Sequence, residues 1–167
     1  MQTHTKGLLL AISAYTIWGF FPLYFNLLVS VLPLEVVSQR VIWSLVCTLG
    51  IGLALGHAGR LKTALSNKHL TGWLLLSAVL ISINWLVYIW AVGQHRVIET
   101  SLGYFMTPVV SLILARLFFK ERLHPLQVWA GIIAMSAIGW ELFSLGQLPW
   151  VSLVLAVAFA LYGVVRK

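Results

Sequence analysis

The sequence predicts an all-α membrane protein with about six transmembrane helices. Three observations carry that prediction. Hydrophobic residues make up 60% of the 167 residues and charged residues only 9%, against about 45–50% and about 25% in a soluble domain. So few charges cannot coat a water-facing surface. The apolar residues gather into runs near the ~20 residues that cross a bilayer core, and the charges fall between the runs. Strict two-residue alternation is absent, which argues against a transmembrane barrel.

Span 1 covers roughly residues 7–30. It follows Met1–Lys6 and is too long for the apolar part of a signal peptide, so it is read as an uncleaved helix. Pro22 lies inside it and frees the carbonyl of Trp18. Span 2, roughly 34–56, starts at Pro33, where a proline costs little. Gly52 and Gly56 near its end form a GxxxG, expected to mark a close helix contact. The link 57–69 is too short for a domain. Span 3 runs roughly 70–93 and span 4 roughly 99–119. Pro108 in span 4 frees the carbonyl of Tyr104. Broken helices often line a cavity in membrane proteins; a plain packing kink is the alternative. Spans 5 and 6, roughly 124–144 and 148–165, begin at Pro125 and Pro149.

The net charge of +7 is topology information rather than a nucleic-acid footprint. Lys6, Arg60, Lys62, Lys68, Arg116, Lys120, Arg122, Arg166 and Lys167 all fall on one side of a six-span chain. The other side has Arg96, and Arg40 lies within span 2. The positive-inside rule then places the N-terminus in the cytoplasm.

Few residues could carry chemistry. Asn84 and Tyr88 are four apart, so they share a helix face. They are candidates for hydrogen bonding a solute, with helix–helix adhesion as the alternative. Arg40 lies ~7 Å beyond Glu35 along its helix, and an ionisable group at membrane depth is a functional candidate. Its expected partner is Glu99; otherwise it snorkels outward. Glu35 and Glu99 also suit first helical turns, where the dipole favours negative charge. Trp18, Trp43, Trp85 and Trp90 lie deep enough to floor a cavity, although core packing is the commoner role.

No nucleotide-binding GxxxxGK[ST], no mid-span lysine and no histidine pair facing the bilayer centre occurs. One cysteine, Cys47, excludes an internal disulfide framework and a four-thiolate metal site. An enzyme is therefore not expected, nor a cofactor, a metal site or a nucleic-acid partner.

Span 6 repeats span 1. Ala14-Tyr15-Thr16-Ile17-Trp18-Gly19 matches Ala158-Phe159-Ala160-Leu161-Tyr162-Gly163 in its pattern of small, aromatic and glycine positions. Copies separated by an odd number of spans have opposite orientation, which is the inverted-repeat architecture of secondary transporters.

The motifs also resemble a known family. Trp18-Gly19, Pro22 and Tyr24 are followed by Glu35, Arg40 and Trp43-Ser44. Asn84-Trp85 and Tyr88-Ile89-Trp90-Ala91-Val92 come next, then Glu99-Thr100-Ser101-Leu102-Gly103-Tyr104-Phe105 and Pro108. Glu121-Arg122-Leu123, Gln127, Gly131, Pro149-Trp150 and Tyr162-Gly163 complete the series. In order and spacing this resembles RarD-type EamA permeases of the drug/metabolite transporter superfamily. The resemblance implies ten spans built from two five-span repeats. Residues 1–145 would then be the first EamA repeat, and 146–167 the first helix of an inverted, truncated second repeat. It further implies a bacterial inner-membrane permease for small organic molecules that works by alternating access. Its partners would be the lipid bilayer, a small-molecule solute, and either a second copy of the chain or the missing C-terminal repeat. Candidate pathway residues are Trp18, Arg40, Asn84, Tyr88, Glu99 and Tyr104, with Pro22 and Pro108 as candidate helix breaks. The alternative is a non-transporting remnant, or a helical scaffold that needs a partner.

The charge pattern makes a direct prediction. In a background lacking Cys47, cysteine placed at Ser30 or Gln147 should label from the periplasm. Cysteine at Ser66 should label only after the membrane is opened. The reverse pattern would overturn the assigned orientation.

Overall fold

The computed structural model describes residues 2–120, 124–145 and 149–166. It contains eight helices among them: α1 (Gln2–Gly19), α2 (Phe21–Asn26), α3 (Pro33–Ala54), α4 (Ala58–Ser66), α5 (Lys68–Gly93), α6 (Val97–Phe119), α7 (Pro125–Leu145) and α8 (Trp150–Val165). The protein is an all-α membrane protein. Thr5–Asn26, Pro33–Ala54, Lys68–Gly93 and Val97–Phe119 are long and apolar enough to cross a membrane. Pro125–Trp140 and Trp150–Val165 are shorter apolar stretches, the first of them lying within the 21-residue α7. At 1.5 Å per residue, α8 is only ~24 Å long.

Local chemistry sets the helix ends. Span 1 is interrupted at Phe20, and Pro22 stands in the first turn of the helix that resumes there. Pro108 does the opposite of what its type suggests: α6 runs through it without a break. The link between α3 and α5 carries the nine-residue α4. Asn67 caps α5 by accepting from the backbone N–H groups of His69 and Leu70. At the start of α7, His124 Nδ1 accepts from the Leu126 N–H while Gln127 Oε1 accepts from the His124 N–H. This is a reciprocal cap built without the usual hydroxyl.

The expected role of the GxxxG changes here. Gly56 has φ 73°. It donates to the Leu53 carbonyl, and His57 donates to the Gly52 carbonyl. These two bonds close α3 in a Schellman motif, which needs a left-handed residue at that position. No atom lies within 4 Å of a Cβ added at Gly52 or Gly56. Among the described residues the pair terminates a helix and packs against none. The α5–α6 turn repeats the motif with His95 at φ 59°, bonded to Val92, while Arg96 donates to Ala91.

The centre of the fold is α8. It packs against α6 and α5, while α2 and α3 lean on α5, and α7 leans on α6. Val151, Ser152, Leu155 and Ala156 are fully buried. One core cluster joins Phe25, Val37, Tyr88, Val92 and Leu155, and another joins Met106, Val109, Ile138 and Ala156. Close approach of α6 and α8 depends on Gly103. A Cβ there would lie 3.0 Å from Leu155 Cβ and from the Cα and carbonyl oxygen of Ser152. The Ser152 hydroxyl donates to the Glu99 carbonyl at 2.7 Å along the same seam.

Two glycine substitutions test these assignments. Gly56→Ala should destabilise the protein by about 1–2 kcal/mol, the cost of a left-handed non-glycine residue, whereas Gly52→Ala should be neutral or stabilising. Equal losses in thermal melts would restore the helix-contact reading. Gly103→Ala meets backbone, so it should cost about 1–3 kcal/mol. Gly131→Ala, whose Cβ would have only Leu112 at 3.8 Å, is the tolerated control.

Candidate solute cleft

Four of the sequence candidates meet around α5. Asn84 lies nine residues before the end of that helix, ~14 Å from it and near the middle of a ~30 Å bilayer core. It is 0% exposed. Its Nδ2 donates to the Leu155 carbonyl at 3.0 Å, and its Oδ1 accepts from the Tyr104 hydroxyl at 3.3 Å. Asn84 is therefore committed to holding α5, α6 and α8 together. Its expected pairing with Tyr88 toward a solute gives way to these bonds. Tyr88 is one turn on and contributes ring edges instead. It packs against Phe25, Trp85 and Tyr104 with centroids 6.0, 5.6 and 5.9 Å away.

Arg40 is seven residues into α3, ~10 Å from its start. The expected pairing with Glu99 does not form. Arg40 instead stacks over Trp85, its guanidinium carbon 3.4 Å from the ring centroid. Glu99 is claimed by its own helix end, where Arg96 Nε and Nη2 donate to its two carboxylate oxygens at 2.6 and 2.9 Å. The i,i+3 spacing makes that local pair easy to form. Arg96 also lies 5.7 Å from the Trp90 ring and 5.5 Å from Trp150. Arg96 and Glu99 thus form a cluster at the α5–α6 turn, apart from Arg40.

An open cleft of about 850 Å³ runs between α2 and α3 beside this arginine. Phe21, Tyr24, Phe25 and Trp43 line it with aromatic surface, and Glu35, Gln39, Arg40 and Ser44 bring polar groups. Trp18 does not line it; the residue is 56% exposed and its ring packs on Tyr15. Glu121, Arg122 and Leu123 lie outside the described residues. The sequence reading missed Phe21, Phe25 and Gln39. The signals were present: aromatics four apart just after the span 1 interruption, and an amide next to a mid-span arginine. It also missed Ser152, the polar residue at the start of an apolar helix.

The arrangement combines aromatic surface with a stacked guanidinium and polar side chains. No group of three or more metal-ligating side chains occurs among the described residues. The sequence pattern of the EamA-like transporter family matches residues 5–143. The chain belongs to that family. It is 41% identical over 162 residues to an uncharacterised transporter of Pseudomonas aeruginosa, covering 97% of this chain and 54% of that protein. It is also 41% identical over 162 residues to the protein RarD of Escherichia coli, covering 97% and 55%. An uncharacterised transporter of Bacillus subtilis, YojE, is 40% identical over 166 residues, covering 97% and 55%. These relatives mark the chain as a RarD-type member of the EamA family, and with the apolar helices they make it a multi-pass bacterial membrane protein. The chain spans about half the length of the curated relatives it matches. No solved structure matches it.

Proposed function

We propose that the α2–α3 cleft is the solute site of a secondary transporter for small organic molecules, and that the whole protein works by alternating access. The carrying observation is the cleft itself: aromatic walls around an arginine ~10 Å along a membrane-spanning helix. A charge at that depth is costly unless it is used. Residues 1–145 act as the first of two repeats, and 146–167 open the second in inverted orientation. The repeated Ala-aromatic-small-aliphatic-aromatic-glycine pattern in α1 and α8 supports that division. The N-terminus is cytoplasmic and the membrane is the inner one, as the basic links favour. The two repeats would enclose the solute between them near the midplane, with α8 already seated against the first. The faces of α1 and α3, exposed here, would meet the rest of the second repeat or lipid.

The test uses a chimera in which residues 1–167 replace the matching part of the Escherichia coli relative, reconstituted in liposomes. Saturable uptake of aromatic solutes is expected. Arg40→Ala should abolish it and Arg40→Lys should retain part. Uptake indifferent to both changes would mean that Arg40 only snorkels, and would remove the cleft from the pathway. The 167-residue chain alone should not transport. Saturable uptake by it at a similar rate would mean that a second copy replaces the other repeat.

A further inference from the structure

The Arg40 stack leaves part of the guanidinium unused. One face lies against Trp85, which fixes the plane of the group. Its edge carries five N–H donors in a rigid fork. Neither described carboxylate takes that edge: Glu99 is held by Arg96, and Glu35 makes no ion pair with Arg40. A guanidinium whose plane is set by stacking and whose edge is open is prepared for a bidentate carboxylate. The second charge lining the cleft is Glu35. It precedes Arg40 by five residues, ~7 Å along α3, and no described lysine or arginine pairs with it. Tyr24, Phe25 and Trp43 line the same cleft.

We propose that this cleft selects flat aromatic acids that carry a cationic group at the opposite end of the ring. The carboxylate sits on the edge of Arg40, the ring lies among the aromatic walls, and the cationic end faces Glu35. Glu35 disfavours dianions, and Arg40 disfavours simple cations. A molecule with both charges on one carbon is too short to reach both residues. The inference rests on the cleft being the solute site, and it names the chemistry of that solute.

Equilibrium binding to the full 167-residue chain in phosphatidylcholine nanodiscs tests it directly. The probes are 4-(aminomethyl)benzoate, benzoate and benzylamine. The zwitterion should bind roughly tenfold more tightly than either singly charged compound, a difference of about 1.4 kcal/mol. Arg40→Gln should abolish its binding. Arg40→Lys, which keeps the charge and loses the fork, should weaken it. Glu35→Gln should lower the zwitterion to the affinity of benzoate and leave benzoate unchanged or improved. The inference fails if no probe binds, if benzylamine binds as well as the zwitterion, or if Arg40→Gln binds normally. It also fails if phosphatidylglycerol in the nanodisc displaces the zwitterion, because Arg40 would then hold a lipid phosphate. The expected binding profile without uptake by the chimera would overturn the transport reading and leave this selectivity standing. Uptake by the chimera that ignores the carboxylate would do the reverse.

Discussion

A buried amide in a lipid-embedded helix bundle has no water to fall back on, so its partners must come from the protein. Asn84 meets that constraint with one donor bond to the Leu155 carbonyl and one acceptor bond from Tyr104. Those two contacts tie α5 to α8 and to α6, the same helices that enclose the most fully buried side chains. The rest of the bundle hangs on this junction. The Gly103 seam brings α8 near enough for the amide to reach, and the ring contacts of Tyr88 and Tyr104 spread outward from it toward α2.

The packing is uneven from one side of the bundle to the other. Around α8 the side chains are small or fully enclosed: Ser152, Ala156, Ala158 and Ala160 are buried. Without a hydrophobic driving force between helices in lipid, such small residues permit the close backbone approach that replaces it. Along α1 to α3 large apolar side chains face outward, including Leu23, Leu27, Leu34 and Ile42. The rigid junction and the open cleft therefore lie on different sides of α5.

Two arginines near the α3–α5–α6 region settle into contrasting arrangements. Arg96 has a carboxylate one turn away on its own helix and takes it with two short bonds. Arg40 has no acidic neighbour within reach on its own face, since five residues rotate Glu35 by about 140°. It takes the nearest compatible surface, the indole of Trp85. A local ion pair needs no tertiary structure, so Arg96 holds Glu99 wherever α3 docks. This competition is why a partner chosen for Arg40 by depth alone was the wrong one.

What the sequence by itself determined was the class of molecule. Apolar runs of helical length, too few charges for a water-facing coat, and prolines at the starts of α3 and α7 follow from composition and local sterics, which act without knowledge of neighbours. The family was legible for the same reason: its motifs keep their order along the chain. Tertiary structure decided the pairings. Gly56 looked like a packing residue until its left-handed backbone placed it at a helix end. Asn84 looked available to a solute until α8 supplied a carbonyl 71 positions away. Phe21, Phe25 and Gln39 joined Arg40 around one cleft only once α2 had turned against α3. Helix periodicity states which residues share a face, but not what that face meets, because docking is set by shape and polar satisfaction between segments distant in sequence.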